Sequence, residues 1–226
     1  MIEEILEGLT SRFTPVLDSE FVKDDYYPVD MSSANPDLHL EVLSQPFEHH
    51  RYLQEYLQMH HAKVAYGGYL EQRALYDRSD HFQASEALDK RNIHLGVDLW
   101  CESGTSVAAP LSGKVHSFQN NNNFGDYGPT IILQHKMRDF TFHTLYGHLS
   151  LASLKGKIIG QPIEAGESFA TLGTPEVNGD YAPHLHFQII VDMQNKQGDY
   201  PGVCSKNMLN FYQTNCPDPN LILKIV

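Results

Sequence analysis

The chain has 226 residues, 41% of them hydrophobic and 19% charged, with a formal net charge of −12. That balance describes an ordinary folded protein, one good-sized domain or a domain with a substantial extension, and no run approaches the roughly 18 apolar residues of a membrane helix. The negative charge argues against nucleic-acid and anionic-membrane partners, since both reward a basic surface.

The start, "MIEEILEGLTSRF", has apolar positions at helical spacing (Ile2, Ile5, Leu6, Leu9) and predicts a helix over 2–13. It is acidic and lacks a basic stretch followed by an apolar core, so the expected location is cytoplasmic. Cys101, Cys204 and Cys216 form no CxxC pair and are odd in number, which reads as free thiols in a reducing compartment. A second helix is expected from Pro46 to about Lys63, with Phe47, Leu53, Tyr56 and Leu57 as its buried stripe. It carries the pairs His49/His50 and His60/His61. Adjacent helical residues point about 100° apart, so neither pair converges on one point, and both read as solvated surface histidines. Gly67-Gly68 is a break, and the polar residues 81–92 connect a helical, mixed region at 1–90 to a β-rich domain at 91–226.

From Asn92 the texture is short apolar runs separated by Gly, Pro and Asn, which predicts an all-β sandwich or barrel. Within it lie His94 and Asp98 in "HLGVD", His148 at the end of "FTFHTLYGH", and His184 and His186 in "HLHF". Residues two apart on a strand share a face, so His184 and His186 point the same way while Leu185 and Phe187 point the other. A continuous strand would hold His94 and Asp98 roughly 13 Å apart, too far for one ion. Joint ligation therefore requires a bend at Gly96. Two histidines plus one aspartate would suit a catalytic zinc with one position left for water. The remaining two histidines would then handle protons or hydrogen-bond the oxyanion. There is no HExxH motif, so histidine rather than glutamate would act as the base. Spacing alone leaves open which histidine of "HLH" binds metal.

"IHLGVDLW", "TLYGHLS" and "PHLHFQI" resemble the three signature blocks of the lysostaphin-type zinc metallopeptidases, which have the duplicated hybrid motif fold. "GTSVAAPLSGKV" and "GQPIEAGESFATLG" resemble that family's hairpins, and the likeness covers about residues 91–192. The resemblance implies a mainly β protein (α+β overall): an antiparallel β-sandwich or half-barrel peptidase domain behind a helical N-terminal extension. It implies one Zn2+ per chain held by His94, Asp98 and His186, with His148 and His184 flanking the metal-bound water. It also implies a peptide or peptide-like substrate; family members often cut next to glycine or D-alanine in bacterial wall cross-bridges. The family often has arginine two residues before the first ligand, where this chain has Asn92, with Arg91 one further back. "DYGPTIILQH" and "EVNGDYAPHLHFQ" look closest to a branch fused to kinase-like and aminotransferase domains, which implies an intracellular role. His135 and His143 read as packing or surface residues, Tyr146 as a packed aromatic and Asn35 as a turn residue. The alternative to a hydrolase is a non-catalytic metal-containing binding or regulatory module on the same scaffold, which a fourth protein ligand on the metal would favour.

Overall fold

The computed structural model describes residues 2–36, 38–79, 82, 86, 88–137 and 140–226. The N-terminal part contains α1 (Ile2–Glu7), β1 (Tyr26–Pro28), α2 (Leu40–Leu43), α3 (Pro46–Met59) and β2 (Val64–Gly67). Pro46 opens α3 at a position whose N–H has no helical partner to lose. The β-rich half runs through β3 (Arg91–His94), β4 (Val97–Trp100), β5 (Ser106–Ala108), β6 (Gly113–Asn121), β7 (Gly128–Met137) and β8 (Phe140–Gly147). It continues with β9 (Pro162–Ile163), β10 (Ser168–Thr171), β11 (His184–Ile190) and β12 (Val203–Ser205), then α4 (Leu209–Asn215) and α5 (Asn220–Leu223).

Eight strands form one sheet in the order β1-β2-β4-β11-β8-β7-β6-β9, while β5 pairs with β10 and β3 with β12. The chain is mainly β, as expected, but its N-terminal part is not only helical. Strand β2 pairs antiparallel with β4, and β1 pairs parallel with β2, so both extend the sheet that carries the site.

Alternation sorts the central strands into two faces. Leu185, Phe187 and Ile189 of β11 join Val97 and Leu99 of β4 and Phe142 and Tyr146 of β8 in the largest apolar cluster. Fully burying a side chain of this size contributes roughly 1.5–3 kcal/mol. The opposite parity holds His184, His186 and Gln188 on β11 and Asp98 and Trp100 on β4. The antiparallel register sets His186 against Asp98 and His184 against Trp100, so the core that fixes this pairing also places the polar residues.

Several expectations change on α3. Phe47 is 73% exposed, whereas His49 is buried beside Leu53. Phe47 lies six residues from Leu53, roughly 120° off its face, while His49 lies four away and shares it. His50 and His60 are half-buried and His61 is exposed; His60 stacks on Tyr27 with ring centroids 3.9 Å apart. Tyr146 is fully buried against Phe169 and Phe187. His135 and His143 are buried as well, and Asn35 donates from Nδ2 to the Asp30 carbonyl at 2.6 Å. Of the connecting segment 81–92, residues 81, 83–85 and 87 lie outside the described residues.

Candidate metal centre

The bend at Gly96 is present, because β3 ends at His94 and β4 begins at Val97. A Cβ on Gly96 would stand 2.7 Å from both His186 Cε1 and the Phe187 carbonyl oxygen, so only glycine lets the chain turn this close to β11. The turn brings His94 Nε2 to 3.3 Å from Asp98 Oδ1. His186 Nδ1 lies 2.8 Å from His94 Nε2 and 3.1 Å from Asp98 Oδ1. Among the described residues these three make the one group of metal-ligating side chains that converges, and all three are buried.

Outer contacts fix the tautomers of both histidines. His94 Nδ1–H donates to the Gly68 carbonyl at 2.9 Å, and His186 Nε2–H donates to Gln188 Oε1 at 2.9 Å. Gln188 is itself held by donating to the Pro201 carbonyl at 3.1 Å and to Cys216 Sγ at 3.2 Å. Each ring therefore turns a lone pair inward, toward the other and toward a carboxylate. Two lone pairs and an anionic oxygen this close, with no proton to share, fit a cation. A tetrahedral zinc with nitrogen and oxygen donors needs them roughly 3.3 Å apart, close to the spacings found. Orienting hydrogen bonds on the far ring nitrogens are the usual support of metal-binding histidines.

His148 and His184 stand beside this group. His184 Nε2 is 3.9 Å from Asp98 Oδ1, and the His148 and His184 rings lie 4.1 Å apart. His148 Nδ1–H donates to the Asn178 carbonyl and His184 Nδ1–H to the Ala182 carbonyl, both at 2.7 Å. Both Nε2 atoms are left as acceptors. Burial first, and then each other's proximity, pushes the His148 pKa well below the ordinary value; burial also lowers that of His184. His148 adopts φ 61, a left-handed conformation that a non-glycine residue rarely takes. Its backbone N–H donates to the Tyr127 carbonyl at 2.8 Å, and its own carbonyl accepts from Gly173 N–H at 2.9 Å, so the turn is held from both sides.

The N-terminal part contributes residues that sequence reasoning missed. Segment 70–73 runs beside β3: Leu70 N–H donates to the His94 carbonyl, His94 N–H to the Glu71 carbonyl, and Arg73 N–H to the Asn92 carbonyl. This brings in Arg73, 2% exposed, which donates from Nη1 to Asp98 Oδ2 and from Nε to Glu71 Oε2 at 2.7 Å. The guanidinium ties down one Asp98 oxygen and leaves the other facing the two histidines. Burial pushes the Asp98 carboxyl up, but His94 and Arg73 outweigh it and hold it well below the usual carboxylate range. The arginine that binds Asp98 thus comes from 21 residues before His94 (94 − 73), not from position 91 or 92, although Arg91 lines the same cavity. Arg91 donates instead to the Val203 carbonyl. Gly68 has φ 104, and a Cβ there would overlap Arg73 Nη2 and stand 2.9 Å from His94 Nδ1. A cavity of about 220 Å³ opens on the site, lined by all five expected side chains and by His49, Arg73 and Tyr127. The Tyr127 hydroxyl is 3.4 Å from His186 Nε2.

Residues 92–198 match the sequence profile described as peptidase family M23. No curated protein matches the chain. Among solved structures, the catalytic domain of the antimicrobial peptidase lysostaphin from Staphylococcus simulans is 27% identical, covering 54% of this chain and 80% of that one, with a TM-score of 0.37. The catalytic domain of the prophage-encoded M23 protein EnpA from Enterococcus faecalis is 21% identical, over 57% of this chain and 86% of that one, with a TM-score of 0.38. A zinc-containing peptidase from Vibrio cholerae is 25% identical, over 49% of this chain and 31% of that one, with a TM-score of 0.37. Among the described residues, no helix is long and apolar enough to cross a membrane.

Proposed function

The chain belongs to peptidase family M23 through residues 92–198, and from that premise we propose that it is a zinc metallopeptidase hydrolysing a peptide amide bond. The observation that carries this reading is the convergence of His94 Nε2, Asp98 Oδ1 and His186 Nδ1, with His148 and His184 beside them on one cavity. His94, Asp98 and His186 would hold the ion. Bound there, zinc supplies Lewis acidity toward the substrate carbonyl and acidifies a water at neutral pH.

The chain's own residues do the rest. Arg73 holds Asp98, Gly68 and Gln188 hold the two histidine rings, and the metal-binding geometry is set before the metal arrives. His148 and His184 carry their protons on Nδ1, locked to backbone carbonyls, and so present an acceptor Nε2. A neutral imidazole in that orientation takes a proton from water and returns it to the leaving amine. No fourth donor joins the cluster among the described residues, which leaves a position for water and supports hydrolysis over the binding-only module.

The test is zinc content and hydrolysis of Gly-Gly, D-Ala-linked and γ-linked peptides, with and without chelator. Wild type should hold one zinc per chain and cut at least one of these classes only when metal is present. His148→Ala should keep the zinc and lose roughly 10²–10⁴ in rate. Protein with no stoichiometric zinc, or a His148→Ala variant as fast as wild type, ends this assignment.

A further inference from the structure

His49 comes from α3, far outside the matched region, yet it lines the same cavity as the five side chains of the metal centre. It is 2% exposed, and its Nε2 has no hydrogen-bond partner among the described residues. Buried polar nitrogens are rarely left unmade in folded proteins unless they are used. Packing alone does not ask for a histidine here. The same helix face continues with Leu53, which packs with Trp100, Tyr181 and Ala182, and an apolar side chain at position 49 would extend that cluster.

We propose that His49 is a substrate-contacting residue, whose Nε2 hydrogen-bonds a backbone amide of the peptide beside the bond that is cut. The proposal rests on the peptidase reading and deepens it: part of the substrate site is supplied by the N-terminal segment. Burial above all, with His184, Arg73 and Arg78 nearby, pushes the His49 pKa down to about 3. The ring therefore meets its ligand neutral, with one donor and one acceptor, which matches an uncharged amide better than a carboxylate.

The experiment uses the full, zinc-loaded chain with His49→Leu and His49→Gln. Removing an unpartnered buried nitrogen should leave the melting temperature and zinc stoichiometry of His49→Leu unchanged, or raise the former. Its kcat/KM should fall about tenfold, the worth of one hydrogen bond, mostly through KM. His49→Gln, which offers an amide, should recover to within about threefold of wild type. A His49→Leu enzyme with unchanged KM overturns the proposal, and so does one that loses melting temperature and zinc together, because that marks a structural residue. If wild type cuts no peptide, the peptidase reading has failed, and His49 is judged by titrating triglycine calorimetrically into the zinc-loaded protein. Roughly tenfold weaker binding to His49→Leu then supports it; equal affinity, or no binding to either protein, overturns it.

Discussion

The β-rich half and the N-terminal segment both build this site, and they do so by different physics. Asp98, His184 and His186 are positioned by strand register: one antiparallel pairing, enforced by Val97, Leu99, Leu185 and Phe187 in the core, sets the carboxylate opposite the imidazole. Arg73 and His49 are positioned by how a loop and a helix pack onto the finished sheet. Register propagates from a local pattern; packing of this kind does not. The first set can therefore be read from a motif, and the second only from the packed chain.

The sharpest way to test that division is to remove one charge from each side. Asp98→Ala deletes one of the three proposed ligands, and stoichiometric zinc binding should be lost altogether, read by metal analysis after desalting. Arg73→Met leaves all three proposed ligands but takes away the group that orients Asp98, so zinc affinity should fall by roughly 10–100-fold in a chelator competition. Arg73→Met also strands the buried Asp98 and the nearby Glu71 without their cation, which should cost about 3–5 kcal/mol of stability in the metal-free protein. If Arg73→Met binds zinc as tightly as wild type, the N-terminal segment merely touches the site and does not shape it.

A smaller effect separates two glycines. Gly96 belongs to the β-rich half and clears the His186 ring; Gly68 belongs to the N-terminal segment and clears Arg73 and the His94 ring. Alanine at either should displace a histidine of the proposed ligand set. Gly68→Ala carries an added backbone cost of roughly 1–2 kcal/mol, because its φ of 104 disfavours a side chain. Both variants should fold and bind zinc more weakly than wild type. Weakened binding in Gly96→Ala alone would place the whole metal-binding geometry in the β-rich half.

What could be read in advance follows the same line. The two-residue alternation of "HLHFQI" already sorted His184 and His186 from Leu185 and Phe187, and the need for a bend singled out Gly96. Which histidine of "HLH" meets His94 and Asp98 could not be read so, because it depends on the register between β4 and β11, which sets His186 against Asp98 and His184 against Trp100. His49 did leave a signal. It stands one helical turn before Leu53, in phase with the buried face, where Phe47 is out of phase; on this helix phase outweighs apolarity, and Phe47 is exposed while His49 is buried. Arg73 left none, since nothing local in "LEQRALY" says that its guanidinium crosses to Asp98. The N-terminal strands were equally hidden: β1 and β2 are three and four residues long, β1 pairs only with β2, and β2 pairs with β4, far along the chain.

The smallest effect tests a histidine that is part of neither set. His135 is fully buried on β7, its Nδ1–H donating to the Ser112 carbonyl at 3.0 Å and its Nε2 lying 2.7 Å from the Thr144 hydroxyl. Burial pushes its pKa down to about 4, against an unfolded value near 6.5. Above about pH 6.5 the ring is neutral in both states and folding is indifferent to it. As pH falls from there toward 4, the unfolded chain takes up a proton that the folded chain refuses, so stability drops by at most about 1.4 kcal/mol per pH unit for this one group. His135→Gln keeps a donor and an acceptor but cannot titrate. Its denaturant midpoints between pH 7 and 4.5 should therefore fall less steeply than wild type's, by one proton's worth, with metal saturation held equal in both. Parallel slopes would mean that His135 takes up its proton without unfolding, and that its place on the core face with Ile131, Leu133 and Phe142 does not keep the ring neutral.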